Sequence, residues 1–175
     1  VPLWGRAAIA VGQRDIEDFV VQLQRVVTVR GRVVLEKGTK AESHLLITAD
    51  PVDGDPTLGQ PMGATVPNDP LLAFTIEGLM SGRYHLRSFN GLAVVSVMAE
   101  GKDVRDVGLD TSGGRDMEDV VNSLTDRHAE IRGTVHGRPG SVAAVIVFPV
   151  ERQQWTNYGW EPDRFRTTRA GSDGS

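Results

Sequence analysis

The sequence has no cysteine, so it carries neither a disulfide framework nor a thiolate metal site. It has no apolar run approaching the roughly 18–20 residues that a membrane-spanning helix needs. No block of one charge occurs. Net charge is −4 and the charged residues are dispersed, which argues against nucleic acid or an anionic membrane surface as a partner. Lysine occurs only three times against sixteen arginines, a skew that reads as coding bias rather than function. The four histidines (His44, His85, His128 and His136) are scattered, with no H-x-x-E or H-E-x-x-H pair to hold zinc. No G-x-S-x-G elbow is present, and Gly113-Gly114 lacks the lysine and strand–helix context of a phosphate loop. These absences lead to the expectation of a non-catalytic protein without a cofactor.

What is present is a duplication. Residues 15–33 read DIEDFVVQLQRVVTVRGRV, and residues 116–135 read DMEDVVNSLTDRHAEIRGTV. Asp15, Glu17 and Asp18 match Asp116, Glu118 and Asp119, and Leu23 matches Leu124. After one inserted residue, Val29-Arg30-Gly31 falls on Ile131-Arg132-Gly133. A repeat of about 100 residues is too long for a solenoid unit and implies tandem domains. Residues 1–24 are expected to be the final strands of one β-sandwich, 25–126 a complete one, and 127–175 the first part of a third. At an offset of 102, the counterpart of Phe74 falls at position 176, so the third unit is expected to hold about half its strands within this sequence. No leader peptide is recognised. The chain opens at Val1 inside a predicted strand, and a leader is expected to have been removed or to lie upstream.

Period-2 alternation supports an all-β reading. It is clearest at 27–33, where Val27, Val29 and Val33 share one face and Thr28, Arg30 and Arg32 the other. Further β-rich runs lie at 7–11, 19–23, 45–48, 72–76, 84–89, 94–98, 120–124, 130–135 and 142–148, punctuated by turn residues such as Gly38, Asn90-Gly91 and Gly113-Gly114. The spacing predicts β-sandwiches, which the repeat makes tandem; the expected architecture is antiparallel and Ig-like, with Greek-key connections. Residues 50–70, with Pro51, Pro56, Pro61 and Pro67, read as a long surface loop with little to bury.

The sharpest local pattern runs from Phe74 to Leu86: F-T-I-E-G-L-M-S-G-R-Y-H-L. It reads as a strand with Phe74 and Ile76 inward, a bend at Gly78 and Gly82, and a second strand from Tyr84. Gly82 is expected to adopt a conformation costly to other residues. Tyr84 is a candidate corner residue. This run resembles the carboxypeptidase regulatory-like (transthyretin-like, prealbumin-like) domain, whose members carry D-G-x-F-x-I-x-G-L-x-P-G-x-Y-x-L. Residues 28–35 look like that family's first strand, with Gly31 (and Gly133 in the next copy) as its glycine. Asp173-Gly174 looks like the D-G opening of a further copy. Ser81 stands where the family has proline, and Leu71-Leu72 where it has D-G. The resemblance covers most of residues 25–175. It implies a fold rather than a reaction, since the domain accompanies a metallopeptidase in some proteins and is not itself catalytic. Long tandem versions with a Trp-bearing segment are similar to large exported proteins of soil bacteria, which implies a periplasmic, cell-surface or secreted location.

Three further clusters stand beside plainer readings. Asp50-Pro51-Val52-Asp53-Gly54-Asp55 places carboxylates at the first, fourth and sixth positions, off the first, third and fifth of a calcium loop. The duplicated acidic runs at 15–18 and 116–119 are calcium candidates or polar turns entering a strand. Lys37, Lys40 and Lys102 lie outside clear apolar strands, against a Lys–Asn crosslink. Trp155, Tyr158 and Trp160 form either a platform for glycans or a protein subunit, or a cap packed on the adjacent domain. The expected function is a spacer, scaffold or assembly module whose partners are neighbouring domains, other subunits or glycans. The rivals are a carbohydrate-binding module and an accessory domain of a metallopeptidase.

Overall fold

The computed structural model describes all residues except 1, 14, 41–44, 53–57, 59–61, 68–69, 90, 137–142, 156–163 and 171–175. The protein is all-β, with several antiparallel sheets. Thirteen strands are described: β1 (Leu3–Trp4), β2 (Gln24–Arg25), β3 (Val27–Leu35), β4 (Leu45–Pro51), β5 (Met62–Val66), β6 (Ala73–Leu79), β7 (Arg83–Ser88), β8 (Ala93–Ala99), β9 (Lys102–Asp103), β10 (Leu109–Asp110), β11 (Met117–Thr125), β12 (Ala144–Val147) and β13 (Arg166–Arg169). A four-stranded sheet has the order β10-β7-β4-β5, and a five-stranded sheet the order β6-β3-β11-β8-β9. Two small antiparallel pairs, β1-β2 and β12-β13, flank them in sequence.

Alternation builds the core. Val27, Val29 and Val33 of β3 are buried, as are Leu45, Ile47 and Ala49 of β4, Phe74 and Ile76 of β6, and Val120 and Leu124 of β11. Both larger sheets contribute to one apolar cluster, whose buried members run from Val27 to Leu124.

Several expectations need correction. The five-stranded sheet is mixed, because β11 pairs parallel to β3, from Met117↔Val29 to Leu124↔Leu35. Residues 50–70 are not one loop. Met62–Val66 is a strand on the edge of β4, and Val52, Leu58 and Val66 are buried. Small side chains hid this strand from periodicity, since Gly63 fits where a Cβ would come 3.0 Å from Thr48 Cγ2. The runs 7–11, 19–23 and 130–135 form no strand. Phe19, Val20, Val21, Leu23 and Ile131 are exposed, and a strand needs a partner as well as a sequence.

Candidate functional site

The duplicated motif and the Phe74 motif meet at one point. Gly31 lies in the middle of β3, with Phe74 of β6 as its direct partner on one side and Val120 of β11 on the other. A Cβ on Gly31 would overlap the Val120 carbonyl oxygen and come 2.7 Å from Phe74 Cζ. The glycine therefore permits close strand approach, and the Phe74 ring takes the space a side chain would have filled. Both neighbours of β3 bulge beside it. In β6 the extra residue falls at Glu77-Gly78, where Gly78 has φ +83°. In β11 it falls at Glu118-Asp119, where Asp119 has φ +58°. These bulges fix register on both sides of the strand.

The acidic run fastens β11 to β3. Thr28 N–H donates to Asp116 Oδ1 at 2.9 Å, and Arg30 Nη1 donates to Glu118 Oε1 at 2.6 Å. That hydrogen bond, with the Glu118 charge second, raises the Arg30 guanidinium further above its ordinary range. Asp119 supplies the left-handed backbone, which Asp tolerates better than most residues. The sequence left these residues as calcium candidates or a polar turn, and the structure sets Asp116 and Glu118 against Thr28 and Arg30 as a clamp.

The first copy shows the same turn without the docking. Asp18 has φ +55°, close to its twin Asp119, so the backbone turn repeats as the letters do. Phe19 and Leu23 are 43% and 61% exposed, whereas their twins Val120 and Leu124 are fully buried. The contrast recurs in the R-G half. Ile131 is 77% exposed against 0% for Val29, and a Cβ on Gly133 would meet nothing within 4 Å. Among the described residues Arg132 pairs with exposed Glu130, its Nε 2.8 Å from Oε1. An apolar groove of about 500 Å³ opens there, lined by Ile131, Gly133, Val135, Val145 and Val147.

The other sequence candidates are placed as follows. Tyr84 is buried and donates its hydroxyl to Met80 O at 3.0 Å, a bond reaching four residues upstream. Thr111 Oγ1 lies 2.9 Å from the same carbonyl and takes the Gly82 N–H at 3.1 Å. Gly82 does not have the positive φ expected of it. A Cβ there would come 2.6 Å from Leu58 Cδ1, so close packing is what requires glycine. Trp155 is half-buried, edge-on to Phe148 and Phe165, with its indole N–H donating to Pro149 O at 2.8 Å. Tyr158, Trp160, Asp173 and Gly174 lie outside the described residues.

Asp50 points into a buried polar cluster that the sequence did not reveal. Its Oδ2 lies 2.6 Å from Arg87 Nε, and Thr48 Oγ1 donates to its Oδ1 at 3.0 Å. His85, also buried, has its Nδ1 3.1 Å from Arg105 O. The sequence reading put Asp50 at the start of a surface loop and of a calcium-like run, whereas it lies within β4 and is buried. The remaining calcium-run carboxylates, Asp53 and Asp55, lie outside the described residues, as does His44. His128 Nε2 is 2.7 Å from Gly91 O. No group of three or more His, Asp or Glu side chains that could hold a metal ion occurs among the described residues. Comparison with family models, curated proteins and solved structures finds no match to this chain.

Proposed function

We propose that this protein is a non-catalytic spacer and assembly module, built of tandem sandwiches of the carboxypeptidase regulatory-like kind, from an exported bacterial protein. The observation that carries this reading is the parallel pairing of β3 with β11. When the first and last strands of a unit run parallel and side by side, the chain enters at one end and leaves at the other. Consecutive units then string end to end. Antiparallel terminal strands would return the chain to its starting end. The strand order favours the prealbumin-like version over the Ig-like one. The first strand of the unit pairs with its fourth and last, whereas the immunoglobulin constant domain sets its first two strands side by side in one sheet.

The parallel pair also has a mechanical consequence. Pulling the unit by its two ends loads the β3–β11 hydrogen bonds together, in shear, instead of opening them one at a time. The test is single-molecule stretching of a polyprotein of residues 25–126. Each unit should unfold in one step, at a force well above that of an unzipping hairpin. Each step should release roughly 340 Å of chain at about 3.3–3.6 Å per residue. Unfolding at hairpin-like force, or in several small steps, overturns the reading.

A further inference from the structure

We infer that the Arg164–Asp106 ion pair is a latch that holds the segment after β11 against the unit formed by residues 25–126, so that the angle between consecutive units is set by charge and loosens with salt. This deepens the tandem reading above and rests on it, because a spacer is only as stiff as its joints. Asp106 lies in the β9–β10 loop, which is fastened on both sides of it. Gly108 N–H donates to Val104 O at 2.7 Å, closing a turn around Asp106, and Val104 N–H donates to Val97 O at 2.7 Å. The Asp103 carboxylate takes the Val97 and Arg105 N–H groups, and Nδ1 of buried His85 lies 3.1 Å from Arg105 O. The loop is thereby anchored to β8 of one large sheet and β7 of the other. The Asp106 side chain is 43% exposed, and among the described residues its hydrogen bonds all go to Arg164.

The pair fixes direction as well as distance. Arg164 Nη2 donates to both carboxylate oxygens, at 2.5 and 2.8 Å, and Nε reaches Oδ1 at 3.2 Å. Arg164 is also no loose tail. It precedes Phe165, whose ring stacks on Phe148 and meets Trp155 edge-on, so the guanidinium is joined to the aromatic cluster beside β12 and β13. The root of the same segment is tied elsewhere. Thr39 Oγ1 donates to Asp126 Oδ1 at 3.1 Å, Arg127 Nη2 donates to Lys37 O at 3.1 Å, and His128 Nε2 lies 2.7 Å from Gly91 O. These root contacts gather at the β3–β4 and β7–β8 connections, whereas Asp106 stands on a third. One point of attachment leaves a swivel, and two on separate loops stop it. The distal point is ionic and partly exposed, so screening reaches it. A pair of this exposure favours the closed joint by about fivefold.

The test is a distance measurement on the 175-residue chain, which has no cysteine of its own to compete for spin labels. Labels go on Thr75→Cys in β6 and Thr167→Cys in β13, both exposed. Double electron–electron resonance at low salt should give one narrow distance distribution. Asp106→Ala should broaden it at an unchanged thermal midpoint, since the carboxylate bonds nothing within its own unit among the described residues. Combining Asp106→Arg with Arg164→Asp should narrow it again. Salt at about 1 M should broaden the wild type and leave Asp106→Ala unaltered. A distribution that is broad in the wild type at low salt, or as narrow in Asp106→Ala as in the wild type, overturns the proposal. So does broadening that the exchanged pair fails to reverse. The stretching experiment uses residues 25–126, which lack Arg164, so a failed latch leaves the spacer reading standing and a failed spacer is seen separately.

Discussion

Gly31 and Gly133 stand at the same place in a duplicated motif, and replacing each by alanine should have opposite consequences. At Gly31 the added carbon meets the Val120 carbonyl oxygen and lies 2.7 Å from Phe74 Cζ. Even the close C–H···O contacts of regular sheets keep carbon and oxygen at about 3.3–3.6 Å. The Val120 oxygen belongs to a backbone held by β3 on one side and β8 on the other, so it cannot rotate aside. Phe74 is 3% exposed and belongs to the buried apolar cluster, where neighbouring side chains limit its movement. Relief requires β11 to move away from β3 by about an ångström, at the cost of ladder hydrogen bonds. Overpacking typically costs about 1–3 kcal/mol, and a backbone obstacle puts Gly31→Ala at the upper end, about 3 kcal/mol. For a unit of this size that lowers the thermal midpoint by roughly 12–24 °C. At Gly133 the carbon enters open space, and alanine should be neutral or stabilising by up to about 1 kcal/mol through the unfolded chain. Urea unfolding followed by circular dichroism measures both, at a protein concentration where the chain is monomeric, and the slope with denaturant should stay the same. A Gly31→Ala chain within about 0.5 kcal/mol of wild type would refute the close-approach argument. So would a Gly133→Ala chain destabilised as much as Gly31→Ala.

Two further outcomes follow from single residues. Asn122 is fully buried on the core face of β11 between Val33 and Val97, and neither of its side-chain polar atoms meets a partner among the described residues, while its twin in the first copy is Val21. Asn122→Val should raise stability by about 1–2 kcal/mol, read as a higher thermal midpoint, and a lower midpoint would mean that the amide is bonded and needed. The Ser112 hydroxyl, then the Ser112 N–H, with Arg83 adding, hold the Asp110 carboxyl below its ordinary value of 3.8. A depressed folded value means the contribution is complete above that pH and is lost as pH falls through the folded value. The urea midpoints of wild type and Ser112→Ala should therefore differ by a constant amount above about pH 4 and converge below it. A difference that holds or widens toward pH 2 contradicts this.

The legibility of the fold followed the reach of each physical signal. Alternation is clearest in β3, which has one face against the shared core, and β-rich composition marked β4, β6, β7, β8 and β11, of which β4 and β7 are buried on both faces. It missed β5, whose Gly63 and Ala64 leave little hydrophobic contrast, and β9 and β10, which are two residues long. It predicted strands at 19–23 and 130–135 because those residues have strand chemistry, but pairing is a property of two segments. Orientation was equally invisible, since a parallel partner and an antiparallel one demand the same alternation from β3. The buried Asp50–Arg87 pair escaped because Asp50 opens a run rich in proline and carboxylates, which reads as a solvated loop.

The duplication is densest at the seam, and the geometry gives a reason. Across most of the core, an apolar residue of suitable size can replace another at modest cost. At Gly31 three strands that are distant in sequence converge on a residue without a side chain, between a bulge at Gly78 and another at Asp119. A one-residue slip of β11 would turn Val120 and Leu124 out of the core and part Asp116 and Glu118 from Thr28 and Arg30. Glycine, the left-handed aspartate and the two clamping carboxylates each answer a geometric demand that size and hydrophobicity alone do not meet. A tandem protein can let its core residues drift between units while every seam poses the same demands, so the letters that recur are those that fix register.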